Sequence, residues 1–261
     1  MSLLVAWISR DQRRPSAVYI AADSRITAGG EKWDRGKKVF TCKTQPWIFG
    51  FCGSVLVPTQ VIAELTDAID SGLITNPDRD SATNWESIRL YLQKALTGSG
   101  AFLAKSNSYI FGFHRPTDTA FDAGYYTIEK TAVHFTHVTN DSNESAIIKV
   151  LGSGKDCFEE IEKETLSRNS SINVARICFA SFCRAIQSGK VHSVGGAPQL
   201  VSLRRTGVGY LIPILFEKVM YHQGVETDVK AYNGECFDET LQRIDPKMGC
   251  MPDGAQRQPL R

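Results

Sequence analysis

The stretch Ala21-Ala22-Asp23-Ser24-Arg25-Ile26-Thr27-Ala28-Gly29 places a carboxylate, two hydroxyls and a guanidinium at the end of an apolar run, Ala17 to Ala22. Charge delivered at the end of a buried strand needs a partner, because an unpaired buried ion is costly. Further on, Gly36-Lys37-Lys38-Val39-Phe40 sets a lysine just ahead of another apolar run. Upstream, Met1-Ser2-Leu3-Leu4-Val5-Ala6-Trp7-Ile8 opens a third such run with a hydroxyl. If the three strands meet in one sheet, Ser2, Asp23 and one of the adjacent lysines, Lys37 or Lys38, meet with them. Asp23 with Arg25 alone reads equally as a strand-end ion pair. The ordered trio is what points to a site.

Removal of Met1 would leave Ser2 with its own α-amine beside its hydroxyl. With a pKa of about 8, that amine is partly neutral at pH 7 and can act as general base. No histidine is then required. A lysine held nearby by an aspartate disfavours protonation of the amine and stabilises negative charge on the hydroxyl oxygen. Backbone N–H groups at Gly50-Phe51-Cys52-Gly53-Ser54 offer stabilisation for a tetrahedral oxyanion. The chemistry these groups describe is amide hydrolysis through an N-terminal serine.

The elements that must position them follow from apolar periodicity. Leu4 to Ser9 and Ala17 to Ala22 read as strands joined by a polar turn, and their near-continuous apolar character predicts a sheet covered on both faces. Lys38 to Lys43 and Pro46 to Cys52 continue the pattern. Pro58 suits a first helical turn, followed by Val61, Ile62, Leu65 and Ile69 and stopped by Gly72. Asn84 is predicted to cap a second helix carrying Trp85, Ile88, Leu92 and Leu96. Strands are predicted over Ser108 to His114, Tyr125 to Glu129, Val133 to Val138 and Ile147 to Leu151. Helices are predicted from Asp156 and over Asn173 to Ser188, then strands over Leu200 to Arg204 and Val208 to Phe216. Beyond Glu217 the pattern weakens, and Asp245 to Arg261 reads as a loose tail. Paired helices outside two stacked sheets bury all of these faces. The predicted fold class is therefore α+β, a four-layer αββα sandwich of two mostly antiparallel sheets, with residues 217–261 a C-terminal extension of the domain formed by 2–216.

The 261 residues, 42% hydrophobic and 22% charged with a net charge of +2, suit a soluble globular chain and argue against a nucleic-acid or membrane partner. The N-terminal apolar run is too short for a signal peptide, and no later run reaches transmembrane length. Seven cysteines without a CxxC pair indicate neither zinc nor a disulfide framework, so a reduced, cytoplasmic protein is expected. His134 and His137 point to opposite faces of a strand and make poor metal ligands; no metal or other cofactor is expected. Gly152-Ser153-Gly154-Lys155 fails as a phosphate loop, because Lys149 and Asp156 stand where that motif needs glycine and a hydroxyl. Asn140 and Asn169 match glycosylation patterns that a cytoplasmic protein does not use. Cys52 reads as core.

The ordered signatures resemble proteasome β-type subunits and their bacterial relatives, within the N-terminal-nucleophile hydrolases, over roughly Ser2 to Leu203. Asp23-Ser24-Arg25 with Thr27-Ala28-Gly29, Gly36-Lys37-Lys38-Val39, Gly50-Phe51-Cys52-Gly53 and Gly152-Ser153-Gly154 match that family's segments in order. The resemblance implies Ser2 as nucleophile, Asp23 and Lys38 as its electrostatic partners, Gly53 as oxyanion donor and Ser153 as a contact of the terminal amine. Arg25 and Ser193 are implied as supporting residues. Substrate would pair with the backbone of Thr27 and Gly53, its side chain entering a pocket of Ile26 and Phe51 with Gly36 at the floor. The family also implies a peptide or other amide substrate, a homo-oligomeric ring and an unfoldase of unspecified identity.

Two departures stand out. Val191-His192-Ser193-Val194-Gly195-Gly196 lacks the aspartate that usually precedes its Ser-Gly-Gly segment, leaving Ser193 or His192 to substitute. Serine also replaces threonine as nucleophile, with activation expected to need only methionine removal. A catalytically silent ring subunit and a hydrolase of small non-peptide amides are the alternatives.

Overall fold

The computed structural model describes residues 2–12, 14–99, 107–130, 132–139, 144–168, 174–228, 232, 234–248 and 250–252. Met1, Asn140, Asn169, Asn173 and the tail from 253 onward lie outside the described residues. The chain opens with strands β1 (Leu4–Arg10), β2 (Pro15–Ala22), β3 (Ile26–Ala28), β4 (Glu31–Trp33), β5 (Val39–Thr41) and β6 (Trp47–Cys52). Helices α1 (Leu56–Asp70) and α2 (Ser81–Ala95) follow, then β7 (Ser108–Thr117), β8 (Ala120–Glu129), β9 (Ala132–Val138) and β10 (Ala146–Leu151). After α3 (Lys155–Arg168) and α4 (Val174–Gln187) come β11 (Gln199–Arg204), β12 (Tyr210–Ile212), β13 (Ile214–Phe216), β14 (Val219–His222), β15 (Val225–Glu226), β16 (Cys236–Asp238) and β17 (Arg243–Ile244).

Two five-stranded sheets dominate, ordered β10-β1-β2-β11-β12 and β5-β6-β7-β8-β9, and every pairing within them is antiparallel. With four helices they make an α+β fold. The apolar run of β1 is explained by its two faces. Leu4, Ala6 and Ile8 meet Val39, Ile48, Phe111 and Phe113 of the second sheet in one buried cluster. Leu3, Val5 and Trp7 turn the other way, onto Phe158 of α3 and Cys178, Phe179 and Phe182 of α4. Trp47, Phe49 and Phe51 of β6 likewise turn away from the first sheet, onto Val61, Ile62 and Leu65 of α1 and Trp85, Ile88 and Leu92 of α2. A strand covered on both faces cannot show the period of two, which is why these runs are continuous.

Three local expectations are corrected. Asn84 does not cap α2: Asp80 does, its side chain accepting from Thr83 N. Asn84 lies inside the helix, where its buried amide ties down the preceding loop through Asn76 N and O. Val208 to Phe216 is not one strand. Pro213, which has no N–H to donate to a ladder, separates β12 in the first sheet from β13 in another. Beyond Glu217 the chain is not patternless, since β13 to β17 form a third sheet ordered β15-β14-β13-β16-β17. Its Ile214, Phe216, Tyr221 and Phe237 join the cluster around α4. Its two tight hairpins turn on Glu217-Lys218 and Gln223-Gly224, all four at positive φ. Such primed turns normally advertise themselves as Asn-Gly or Asp-Gly, so Glu-Lys gave no warning.

Candidate active site

β1 and β2 pair with Leu4 opposite Ala22, so both strands run out at one end of the first sheet. There the chain just before β1 and the chain just after β2 stay bound to each other. Leu3 N donates to Asp23 Oδ1 at 3.0 Å, and Asp23 N returns a bond to Leu3 O at 3.2 Å. Lys38 immediately precedes β5, whose Val39 pairs with Gly50 of β6. Glycine is needed at 50 because a Cβ there would lie 2.7 Å from Ile20 Cγ2 and 2.9 Å from Leu4 Cδ1. A side chain would drive the two sheets apart where Lys38 reaches across.

Lys38 Nζ lies 2.8 Å from Ser2 Oγ, 2.9 Å from Asp23 Oδ1 and 2.6 Å from the Arg25 carbonyl oxygen. Ser2, Asp23 and Lys38 are all wholly buried. Three partners saturate the three donors of an ammonium, so the desolvated charge is met on every side. Asp23 is equally occupied: Oδ2 accepts from Arg25 N and Gly195 N, each at 3.2 Å. The structure thus brings together the trio that the sequence singled out. It also adds a fourth participant, the Gly195 amide.

Gly152, at φ +95°, lies against the main chain of Ser2, where any Cβ would overlap the Ser2 carbonyl oxygen. That oxygen accepts from Gly154 N at 3.2 Å and from Ser153 Oγ at 3.4 Å. Ser153 Oγ also lies 2.8 Å from Ser193 Oγ. Of the two substitutes for the missing acid, Ser193 is drawn in, whereas His192 is exposed and contributes its carbonyl to Arg25. Gly53, at φ +113°, shares a cleft with Gly152 and Ser153; a Cβ there would press on Ser108 Cα at 2.7 Å. Cys52 beside it is fully buried, its thiol pushed up to about 12 by burial, which leaves it a core residue.

The residues expected to form a side-chain pocket sit differently. Phe51 is fully buried against Phe40 in the cluster under α1 and α2. Ile26 occupies the space above Gly36, and a Cβ on that glycine would overlap the isoleucine. Ile26 therefore fills the position expected to be the open floor at Gly36, and Thr27 lies in a two-stranded hairpin, β3 with β4. Opening such a pocket requires Ile26 to swing off Gly36.

Three contributors went unmarked in the sequence. Gln199, wholly buried at the start of β11, accepts from Lys38 N at 2.9 Å and donates to the Gly36 carbonyl at 2.5 Å. Asp34 clamps Arg25 through two bonds, at 2.7 and 2.8 Å. Arg25 in turn donates to Val194 O at 3.2 Å, which fixes the segment that delivers Gly195 N. Gly224, at the tip of the β14–β15 hairpin, packs 2.6 Å from Ser24 Cβ and 3.1 Å from Gln199 Nε2, measured from the Cβ it lacks. Of these, only Gln199 leaves a sequence trace, as a polar amide leading an apolar strand.

Among the described residues no cluster of metal-ligating side chains occurs, and no helix is long and apolar enough to cross a membrane. No protein-family model matches the sequence, nor does any curated protein. Solved structures do. The Gly-1 mutant of Anbu from Hyphomicrobium sp. strain MC1 aligns with a TM-score of 0.53 at 16% identity, covering 81% of this chain and 87% of that one. Anbu, described as an ancestral β-subunit, from Yersinia bercovieri gives 0.53 at 14%, covering 80% and 86%. BPH from Thiobacillus denitrificans, solved in complex with epoxomicin, gives 0.50 at 16%, covering 78% and 100%. At such identities the likeness speaks for the fold alone: this chain shares the fold of the Anbu and BPH structures.

Proposed function

We propose that this chain is an amide hydrolase of the N-terminal-nucleophile type, acting on peptides, with Ser2 as nucleophile once Met1 is removed. The observation that carries the proposal is the 2.8 Å approach of Lys38 Nζ to Ser2 Oγ, with the lysine wholly buried and anchored on Asp23. A structural ion pair has no need of a hydroxyl at its tip. The four-layer αββα stacking belongs to the same proposal, supported by the three separate apolar clusters between and outside the two sheets.

The chemistry follows from the charges. The neutral α-amine of Ser2 takes the Oγ proton as Oγ bonds to the substrate's carbonyl carbon, and Lys38 stabilises the oxygen as it sheds that proton. Negative charge passes to the carbonyl oxygen, for which the Gly53 N–H is the proposed donor. Collapse breaks the C–N bond, the ammonium returns its proton to the departing nitrogen, and an ester on Ser2 Oγ remains. Water, deprotonated by the same amine, attacks the ester. The carboxylic acid leaves and Ser2 is restored. Asp23 keeps the lysine in place throughout, and Ser153 with Ser193 holds the main chain of Ser2.

On the acyl side, the backbone of Thr27 and Gly53 would pair with an extended substrate. The apolar surroundings of Ile26 and Phe51 favour a leucine- or phenylalanine-like side chain over a charged one, once Ile26 moves. A homo-oligomeric ring is proposed with the fold, and the exposed Leu56 of α1 and Leu90 of α2 are apolar surface suited to contacts between copies.

The deciding experiment is intact-mass analysis after exposure to an epoxyketone or β-lactone. A chain beginning at Ser2 and carrying one adduct, lost in Ser2→Ala, is the expected result. Retention of Met1 in all molecules, with no adduct, would overturn the mechanism.

A further inference from the structure

We propose that the cleft beside Ser2 receives a carboxylate on the leaving side of the scissile amide, with Lys149 as the recognising cation. The carboxylate belongs to an acidic side chain or to the C-terminus of the substrate. The inference rests on the hydrolase reading and gives that site a substrate class.

The cleft has a volume of about 710 Å³ and reaches the nucleophile's neighbourhood through Gly53, Gly152 and Ser153. It opens where β10, the edge strand of the first sheet, faces β7 and β8 of the second. Lys149 stands on β10 opposite Ala6 of β1, and its ammonium crosses to lie 4.6 Å above the ring of Tyr125 on β8. A lysine resting on an aromatic face loses less freedom when an anion arrives, because its long side chain is already ordered.

Two other charged side chains line the cleft, Glu129 and Lys155. Glu129 accepts from Asn107 Nδ2 at 3.1 Å, and Lys155 lies 3.7 Å from Glu159 one turn along α3. Among the described residues Lys149 has no carboxylate partner. The lining therefore holds two lysines to one carboxylate, with Lys149 the cation that lacks a carboxylate partner, and this balance complements a carboxylate better than a cation.

The side of the scissile bond is set by where the proton must come from. In this mechanism the donor to the departing nitrogen is the backbone nitrogen of Ser2 itself. The departing nitrogen must then lie over the main chain of Ser2, away from the buried Lys38–Asp23 side. Gly152 and Ser153 flank that main chain, and Lys149 is three residues before Gly152 on the same strand end. The acyl portion runs the opposite way, toward Thr27.

The test uses quenched fluorescent peptides that share one acyl side and differ only beyond the scissile bond. One carries aspartate with an amidated C-terminus, one a neutral residue with a free C-terminal carboxylate, one a neutral residue amidated, and one lysine amidated. Expected is a kcat/KM at least about tenfold higher for a carboxylate-bearing peptide than for the neutral amide, with lysine lowest. The first two peptides tell which carboxylate is used. In Lys149→Met the carboxylate-to-neutral ratio should fall to within about twofold, and in Lys149→Glu the order of aspartate and lysine should reverse. Cleavage of all four peptides at similar rates, unaltered by Lys149→Met, overturns the cleft assignment while leaving the hydrolase reading intact. Anisotropy of the same peptides, dye-labelled, on Ser2→Ala protein separates the other case. Selective carboxylate binding that vanishes in Lys149→Met, from a wild type that cleaves nothing, keeps the cleft and removes the hydrolase. Neither cleavage nor selective binding removes both.

Discussion

Two ion pairs lie within a few residues of each other, Lys38–Asp23 at 2.9 Å and Arg25–Asp34 at 2.7 Å, and distance alone does not tell them apart. Burial does. The side chains of the first pair are 0% exposed, those of the second 17% and 41%. Two charges out of water stay only if every remaining lone pair and proton finds a partner, and here each one does, the last lysine donor ending on the Ser2 hydroxyl. The half-exposed pair is screened by solvent, and its value lies in the planar fork with which Arg25 holds Val194 O and His192 O. One pair faces the chemistry; the other braces the loop that helps hold it.

Breaking the buried pair should have the largest effect. Lys38→Ala leaves the Asp23 carboxylate buried without its cation, a loss of about 3–5 kcal/mol in stability, together with about 10²–10³ in kcat. Calorimetry and peptide turnover measure the two. A variant within twofold of wild type in turnover would remove Lys38 from the site. Replacing both members, Lys38→Met with Asp23→Leu, should recover only part of the stability, because Leu3, Arg25 and Gly195 N–H groups lose their acceptor. Full recovery would mean that those three bonds contribute little.

Next in size is Gln199→Leu, which keeps the shape and strips both bonds, leaving the Lys38 amide and the Gly36 carbonyl unsatisfied at about 1–3 kcal/mol each. Turnover should drop about 10–100-fold through misplacement of Lys38. Gln199→Glu, which still accepts from Lys38 N, should retain more of it. Equal kcat in the two variants would show that Gln199 acts by filling space only.

Arg25→Ala should cost less and should reveal itself in acid. Hydrogen bonding to Arg25 holds the Asp34 carboxyl below its usual 3.8, although burial pushes the other way. A lowered native value contributes stability that is present above the unfolded value and is lost as pH falls through the native one. The wild type should therefore lose this contribution only at pH values under 3.8, and Arg25→Ala should flatten that part of the profile. Melting curves taken down through that range would show it, and an unchanged slope would count against the clamp.

The smallest effect belongs to Lys37→Ala. Its ammonium lies 4.4 Å above the Phe40 ring, and half-burial lowers its affinity for a proton. Loss of that contact should change stability by about 0.5–1 kcal/mol, with turnover within about twofold of wild type. A drop as deep as that of Lys38→Ala would mean that the roles of the adjacent lysines are exchanged.

The sequence by itself determined the parts of the site that are local to strand ends. Ser2, Asp23 and Lys38 each flank an apolar run, and runs this continuous must be buried on both faces, so the polar groups at their ends were marked out; that Lys38 reaches them from the second sheet, rather than sharing one sheet with them, was a tertiary outcome. The glycines at 53 and 152 were singled out through the family resemblance. Only tertiary structure decided what completes the shell. Gln199 is separated from Lys38 by 161 residues, and Gly195 from Asp23 by 172, and nothing in either neighbourhood announces its distant partner. The closed state of the proposed pocket was not legible because a strand apolar on both faces does not say which face a helix will cover, and α1 and α2 cover that of Phe51. The third sheet escaped notice because its strands are two to four residues long, too short to show a period, and its turns use Glu-Lys and Gln-Gly. Those strands acquire their identity only by packing on α4, where burial of Phe216, Tyr221 and Phe237 supplies the stability that local pairing in so short a strand cannot.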